Sequence, residues 1–188
     1  LNIPVDDPTD FADPQNALNV LDGWSTQHPF VINVETPAGA SLDASTLSSG
    51  VLLFEATLGL DQSDPDCAQV TTPSAGCKLG DQLTFGVDYV LSLADSNTVT
   101  FVPLKPLKAA QGYMLVMTTD LKDSSGKSVQ GSTTWDSVRQ DIDTNPLSSA
   151  AQLQLQGLVN SLVNPVLGAG FDREDITYVS AFTTQSIA

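Results

Sequence analysis

Near the start of the chain, the spacing of hydrophobic residues changes from that of a helix to that of a strand. Asp13-Pro14 is typical of an N-cap followed by a first-turn proline. The apolar residues that follow recur at helical spacing: Ala17, Leu18, Leu21 and Trp24. From Phe30 to residue 35 the period falls to two, which predicts a strand. We therefore expect a short helix that runs directly into a strand, with Trp24 as a buried structural anchor between them.

Further along, short apolar segments bounded by turn residues predict several more strands. Residues 51–57 and 113–119 are compact apolar runs of the kind found in buried strands. Residues 83–93 and 98–104 flank a turn at 95–97 and are expected to form a hairpin, in which Gly86 marks a bulge or bend. A short strand is also predicted at 129–135, after a turn at 123–126, and a last one at 176–184.

A second helix is predicted before the last strand. Asn145-Pro146 is a candidate cap, and the apolar spacing between residues 155 and 166 is that of an amphipathic helix that Pro165 and Gly168 close or kink. We predict this helix at about 146–167. The fold class is therefore mainly β: an antiparallel Ig-like β-sandwich with two helical additions. Residues 1–13 are expected to be an extended strap, and residues 14–188 a single domain.

The two cysteines lie ten positions apart, at Cys67 and Cys77. Two free thiols or a metal site are the alternatives to a disulfide, but two cysteines and one distant histidine do not make a zinc site. A disulfide closing this loop would stabilise the fold by about 2–3 kcal/mol on the chain-entropy model. We predict the Cys67–Cys77 disulfide, and with it an oxidising compartment.

The charge balance narrows the range of partners. The chain carries 22 acidic and 7 basic residues, for a net charge of −15. Such a surface lacks the lysines and arginines that neutralise phosphates, which argues against nucleic acid and against anionic membranes. No apolar run is long enough to span a membrane, and Leu1 is not a natural initiator. We expect a piece of a longer, exported protein.

Candidate chemistry is sparse in this sequence. The single histidine is His28, and no serine lies in the G-x-S-x-G turn of an esterase. Acidic residues cluster at 6–13 and 61–66 without the spacing of an EF-hand, so solvated carboxylates are favoured and calcium is the alternative. The glycine-rich segment 168–175 lacks the lysine of a phosphate-binding loop. We predict no catalytic residue, no metal and no cofactor.

Three stretches resemble the N-terminal domain of bacterial extracellular lipases, the virulence factor lipase family. They are DPQNALNVLDGWSTQHPF, GYMLVMTTDLKDSSGKSV and ITYVSAFTTQS, and the resemblance spans roughly residues 10–186. The segment from Tyr113 to Val129 is also similar to a strand and turn of bacterial Ig-like modules. The resemblance implies a secreted or surface-anchored Gram-negative lipase or lysophospholipase as parent, with a downstream α/β-hydrolase domain on the same polypeptide.

The resemblance carries no catalytic residue onto this chain, because the G-x-S-x-G serine of the parent belongs to the downstream domain. The leading hypothesis is a non-catalytic accessory domain that supports, positions or shields the catalytic domain, or helps it to reach lipid. The alternative is an Ig-like binding module for a glycan, a protein or a cell surface. An exposed aromatic platform at Trp24 or Trp135 would favour this alternative, and burial of both would weigh against it.

Overall fold

The computed structural model describes residues 7, 9, 10, 12, 22–68 and 70–186. In these residues seven strands lie at Phe30–Asn33 (β1), Val51–Leu58 (β2), Gly76–Gln82 (β3), Tyr89–Leu93 (β4), Thr98–Pro103 (β5), Gly112–Thr118 (β6) and Ile176–Thr183 (β7). The α-helices lie at Leu47–Gly50 (α1), Thr133–Val138 (α2) and Ala150–Gly168 (α3), and short 3-10 helices at Ala44–Thr46, Pro65–Cys67 and Arg173–Asp175. The helix predicted to start at Asp13-Pro14 lies largely outside the described residues, as does most of the strap predicted at 1–13.

The strands form two antiparallel sheets. One has three strands in the order β1-β5-β4, and the other has four in the order β3-β2-β6-β7. The predicted hairpin is confirmed, since β4 pairs with β5 around a turn in which Asp95 Oδ1 accepts from the Asn97 and Thr98 amides. The predicted fold class, a mainly antiparallel β-sandwich with helical additions, is confirmed.

The four-stranded sheet is covered on both of its faces. Along β2, Val51 and Leu53 point into a core between the sheets, which we name the inner core, while Leu52 and Phe54 pack under the helices in an outer core. Along β6, Leu115 likewise belongs to the inner core. Strands buried on both faces need apolar residues at every position, which explains the nearly continuous apolar runs of β2 and β6.

Helix α3 packs on the outer face, but it starts later than predicted. Its N-cap is Ser149, whose hydroxyl accepts from the Gln152 amide, and the helix runs through Pro165 to Gly168. The cap predicted at Asn145-Pro146 is wrong. The chain just before the helix bonds to the side of α3 instead: the Leu147 amide donates to Gln156 Oε1 at 2.9 Å.

Two fully or almost fully buried amide side chains on α3 hold the segment that connects it to α2. Gln156 Nε2 donates to the carbonyls of Gln140 and Asn145, at 3.1 and 2.9 Å. Asn160 Nδ2 donates to the carbonyls of Val138 and Gln140, and its Oδ1 accepts from the Ile142 amide. These side chains supply the partners that an irregular buried backbone segment would otherwise lack.

Two other strand predictions differ from the structure. The strand predicted at 129–135 is wrong, because Ser132 caps α2 by accepting from the Trp135 amide at 3.1 Å. The strand predicted at 83–93 begins only at Tyr89. Gly86 lies before it in a turn, with a φ of +78° that favours glycine.

A strand that the sequence did not reveal begins next to the second cysteine and continues beyond it. Strand β3 pairs with the edge of β2 and starts next to the disulfide, which joins Cys67 to Cys77 with an S–S distance of 2.08 Å. Cys67 is fully buried at the end of a 3-10 helix. The disulfide therefore ties the loop after β2 to the edge strand of the four-stranded sheet.

The turn at 123–126 is built on a nearly buried carboxylate. Asp123 Oδ1 accepts from the Ser125 hydroxyl at 2.6 Å and from the amides of Ser125 and Lys127 at 2.8 and 3.0 Å. The Ser125 hydroxyl is the main cause that holds the pKa of the Asp123 carboxyl below its ordinary value of 3.8. The charged form of Asp123 therefore stabilises this turn.

We expect the Gln156→Leu variant to lose about 2–4 kcal/mol of unfolding free energy, since three backbone groups lose their buried side-chain partner. Urea unfolding followed by circular dichroism measures the loss. The matched control is Gln154→Leu, on the exposed side of the same helix, which should change the value by less than about 0.5 kcal/mol. Equal free energies of unfolding in the two variants would show that the hydrogen bonds of Gln156 to the segment 138–147 do not stabilise the fold.

We expect the stability of the fold to decrease in acid in a way that depends on Asp123. Because the pKa of this carboxyl is lower in the folded chain than in the unfolded one, its contribution is present above the ordinary value of 3.8. The contribution is lost as the pH falls through the lower pKa of the folded state. Urea midpoints measured from pH 6 down to about pH 2 should fall less steeply for Asp123→Asn than for the unaltered chain.

The control for this measurement is Asp120→Asn. In the described part of the chain the Asp120 carboxylate makes no hydrogen bond, so this variant should keep the acid dependence of the unaltered chain. An unchanged acid dependence in Asp123→Asn would show that this carboxylate has the same pKa in the folded and unfolded states.

Candidate functional site

An apolar groove opens between the two sheets, and it follows from their unequal strand numbers. The sheet of three strands faces a sheet of four, and β1 and β7 are edge strands on the same side of the sandwich. The inner face of β7 is consequently left partly uncovered: Tyr178 is 43 % exposed, and Phe182 is half-buried. The groove between β1 and β7 has a volume of about 1270 Å³.

The walls and floor of the groove are side chains that continue the inner core. The side chains of the two walls are half-buried, and those of the floor are buried. The principal ones are Phe30 and Ile32 from β1, Ser180 and Phe182 from β7, and Leu107, Leu115 and Met117 from the floor. Such a surface is concave, apolar and preformed, which is the usual character of a ligand site.

A different chain segment bounds each end of the groove. At the carboxyl end of β7, the segment 24–29 crosses from one sheet to the other, and the Phe30 ring lies 5.8 Å from that of Phe182. At the amino end of β7, the segment 129–132 closes over Thr177, and Trp135 contacts Tyr178. From Thr177 to Phe182 the groove is about 17 Å long, at about 3.4 Å per residue.

Trp24 lies at the first of these ends, and the prediction that its side chain is buried is wrong. The indole is 67 % exposed, whereas the backbone is paired: the Trp24 amide donates to the Thr183 carbonyl, and its carbonyl accepts from the Gln185 amide, both at 2.8 Å. The helical spacing that ends at Trp24 does not apply here, because this residue is bridged to Thr184 in an extended conformation. Trp24 is held by its backbone, and its side chain forms part of the groove rim.

Thr177 at the other end carries an unsatisfied hydroxyl. The register between β6 and β7 shifts at this point, so that Met117 pairs with Tyr178, Thr118 pairs with Ile176, and Thr177 is skipped. Thr177 is 7 % exposed and lines the groove, and its Oγ1 has no hydrogen-bond partner within the described residues. A bulge of this kind often places a side chain at a functional position.

His28 lies at the rim of the groove and is exposed. Ser25 is close, but its hydroxyl accepts from the backbone amides of Gln27 and His28, at 3.2 and 3.1 Å. Across the described chain, no hydrogen bond or ion pair joins the His28 imidazole to a hydroxyl or a carboxylate. Hydrolysis by a serine nucleophile needs that arrangement of nucleophile, base and acid.

A second, smaller cleft of about 230 Å³ is lined by the residues of two ion pairs. Lys108 bonds to Glu55 at 2.7 Å, and Lys105 bonds to Asp88 at 3.0 Å. Burial raises the pKa of Tyr113, whose hydroxyl accepts from the Lys108 amide. These groups satisfy one another, so the cleft has the character of a structural charge cluster.

The acidic clusters show no metal centre in the described part of the chain. No group of three or more histidine, cysteine or acidic residues is placed there to hold an ion. Asp61 and Asp64 instead accept from the amides of Ser63 and Asp66, two residues further on. Nor does any described helix have the length and hydrophobicity to cross a membrane.

The fold and the groove define the class: a two-sheet antiparallel β-domain with a helical layer on one face and a preformed apolar groove at its open edge. The chain belongs to the bacterial virulence factor lipase N-terminal family, whose sequence model matches residues 4–188. The family description points to a lipase parent and to an extracellular or secreted protein. No curated protein matches the chain.

Sequence reasoning singled out Trp24 and the cysteines but did not find the groove. Its walls come from strands that the sequence did predict, and Phe30, Ile32 and Phe182 were visible as alternating apolar residues. What was missing was the order of the strands, which leaves the inner face of β7 without a strand opposite it. Nothing in the sequence pointed to Thr177, because its place in the groove lining depends on a β-bulge.

We expect the two tryptophans to differ sharply in their contribution to stability. Trp24→Ala should change the free energy of unfolding by less than about 0.5 kcal/mol, as for an exposed side chain. Trp135→Ala should cost about 3–5 kcal/mol, since that indole is buried and donates to the Ile176 carbonyl. Chemical unfolding followed by far-ultraviolet circular dichroism compares them, and a large loss in Trp24→Ala would show that its indole is packed.

Proposed function

We propose that this chain is a non-catalytic accessory domain of a bacterial lipase, and that it acts through the groove between β1 and β7. The catalytic α/β-hydrolase domain would follow on the same polypeptide, and the whole protein would be secreted or held at the outer-membrane surface of a Gram-negative bacterium. The domain would support or position the catalytic domain and help it to reach its lipid substrate. Family membership and the apolar character of the groove support this proposal.

The single observation that carries the non-catalytic part is the environment of His28. It is the only histidine of the chain, it lies on the groove rim, and its imidazole has no hydroxyl or carboxylate partner among the described residues. A groove that binds an apolar group without a nucleophile and base is suited to holding a molecule and not to cleaving it.

A second candidate function is an Ig-like binding module for a glycan, a protein or a cell surface. The exposure of the Trp24 indole favours it, because an exposed tryptophan can stack against a sugar or anchor a partner. Burial of Trp135 removes the other possible platform. A glycan array probed with the chain and with Trp24→Ala distinguishes this function, which requires binding that the variant loses.

The proposal predicts that the purified chain folds but does not hydrolyse p-nitrophenyl esters above the rate in buffer. Release of p-nitrophenol from butyrate and palmitate esters, with a known lipase as positive control, measures this. The chain would be an enzyme in its own right if hydrolysis occurred and was abolished by a serine-directed inhibitor. His28→Ala, made in parallel, would then show whether the single histidine is the base.

A further inference from the structure

We propose that the groove between β1 and β7 binds the acyl chain of a monoacyl lipid whose head group carries no net negative charge. This inference deepens the proposed function by naming a ligand for the same groove, and it rests on the domain being non-catalytic. Three features of the groove support it: its length, its bounded ends and the charge of its lining.

The length of the groove matches one acyl chain. Between Thr177 and Phe182 it extends about 17 Å. The acyl chains of one membrane leaflet span about 15 Å, half of the hydrocarbon core of a bilayer. The floor along this length is formed by Leu107, Leu115 and Met117, so that a straight hydrocarbon would contact apolar side chains throughout.

The bounded ends favour an acyl chain over a polypeptide strand. The two strand edges at β1 and β7 could in principle pair with an added strand. An added strand, however, would have to enter and leave through the two ends, where the segments 24–29 and 129–132 line the groove. An acyl chain has a free terminus and needs an opening for the head group only.

The charge of the lining selects the kind of head group. No lysine or arginine lines the groove in the described chain, and Glu35 adds an acidic group to the wall. With a net charge of −15, the protein repels an anion such as a free fatty acid carboxylate. A zwitterionic or uncharged head group avoids this repulsion.

The exposed ring of Tyr178 suits the position of the head group. Tyr178 lines the groove and is 43 % exposed, and an aromatic side chain suits the boundary between lipid and water.

The test is titration calorimetry of the chain with lysophosphatidylcholines of increasing acyl length, each below its critical micelle concentration. Affinity should rise about fourfold for each added CH₂ group. The rise should stop once the acyl chain fills the groove. Absence of binding at every length would overturn the proposal, and so would binding that does not depend on length.

A variant that fills the groove locates the site. Ser180→Trp places an indole against the floor, next to Leu115, and should weaken binding by more than about tenfold because two or more CH₂ groups lose their contact. The control is Ser92→Trp, the same change at an exposed strand position outside the groove. Both variants are checked by circular dichroism, and equal affinity in the two would place the lipid elsewhere.

The outcomes separate this inference from the proposed function. Hydrolysis of lysophosphatidylcholine by the chain, detected as released fatty acid, would overturn the non-catalytic role. Lack of both hydrolysis and binding would overturn the lipid site and leave the accessory role standing. In that case hydrogen exchange on the complete lipase would show whether a strand of another domain protects β1, the competing occupant of the groove.

Discussion

The arrangement of this domain depends on the burial of one sheet on both faces. Strands β2 and β6 send alternate side chains into an inner core under the three-stranded sheet and an outer core under the helices. A sheet in this position needs a complete cover on each side. The helices supply it on the outer face, but three strands cannot cover four, and the uncovered part of β7 becomes the groove. The groove is therefore a consequence of the same packing that stabilises the fold.

The helical layer also shapes the groove, although it lies on the opposite face of the sheet. Trp135 of α2 is buried in the outer core, and its indole donates to the Ile176 carbonyl, directly before the bulge that displaces Thr177. The segment that precedes α2 then lines one end of the groove. Because Gln156 and Asn160 fix the connection from α2 to α3, the outer layer is held in one position, and the bulge with it.

The strands and the long helix could be predicted because the pattern of apolar residues along each element follows from which of its faces are buried. The runs of β2 and β6 are apolar at nearly every position, and the hairpin of β4 and β5 is marked by its turn. Strand β3 escaped prediction because it is an edge strand with mostly exposed side chains, GCKLGDQ. The segment 129–135 has residues suited to a strand, but the Ser132 cap turns it into a helix. In that segment a single side-chain cap decided the outcome against the local pattern.

The groove could not be predicted for a different reason: no local pattern records which strands end up opposite one another. Trp24 illustrates the point, since its apolar character suggested burial, while its backbone pairing with the end of β7 leaves the indole at the groove rim. A protein that exposes Trp24, Tyr178 and Val31 around an apolar groove needs another means of staying dispersed in water. The net charge of −15 supplies it through repulsion between molecules. The acidity of the chain thus counteracts the self-association that an exposed apolar groove favours.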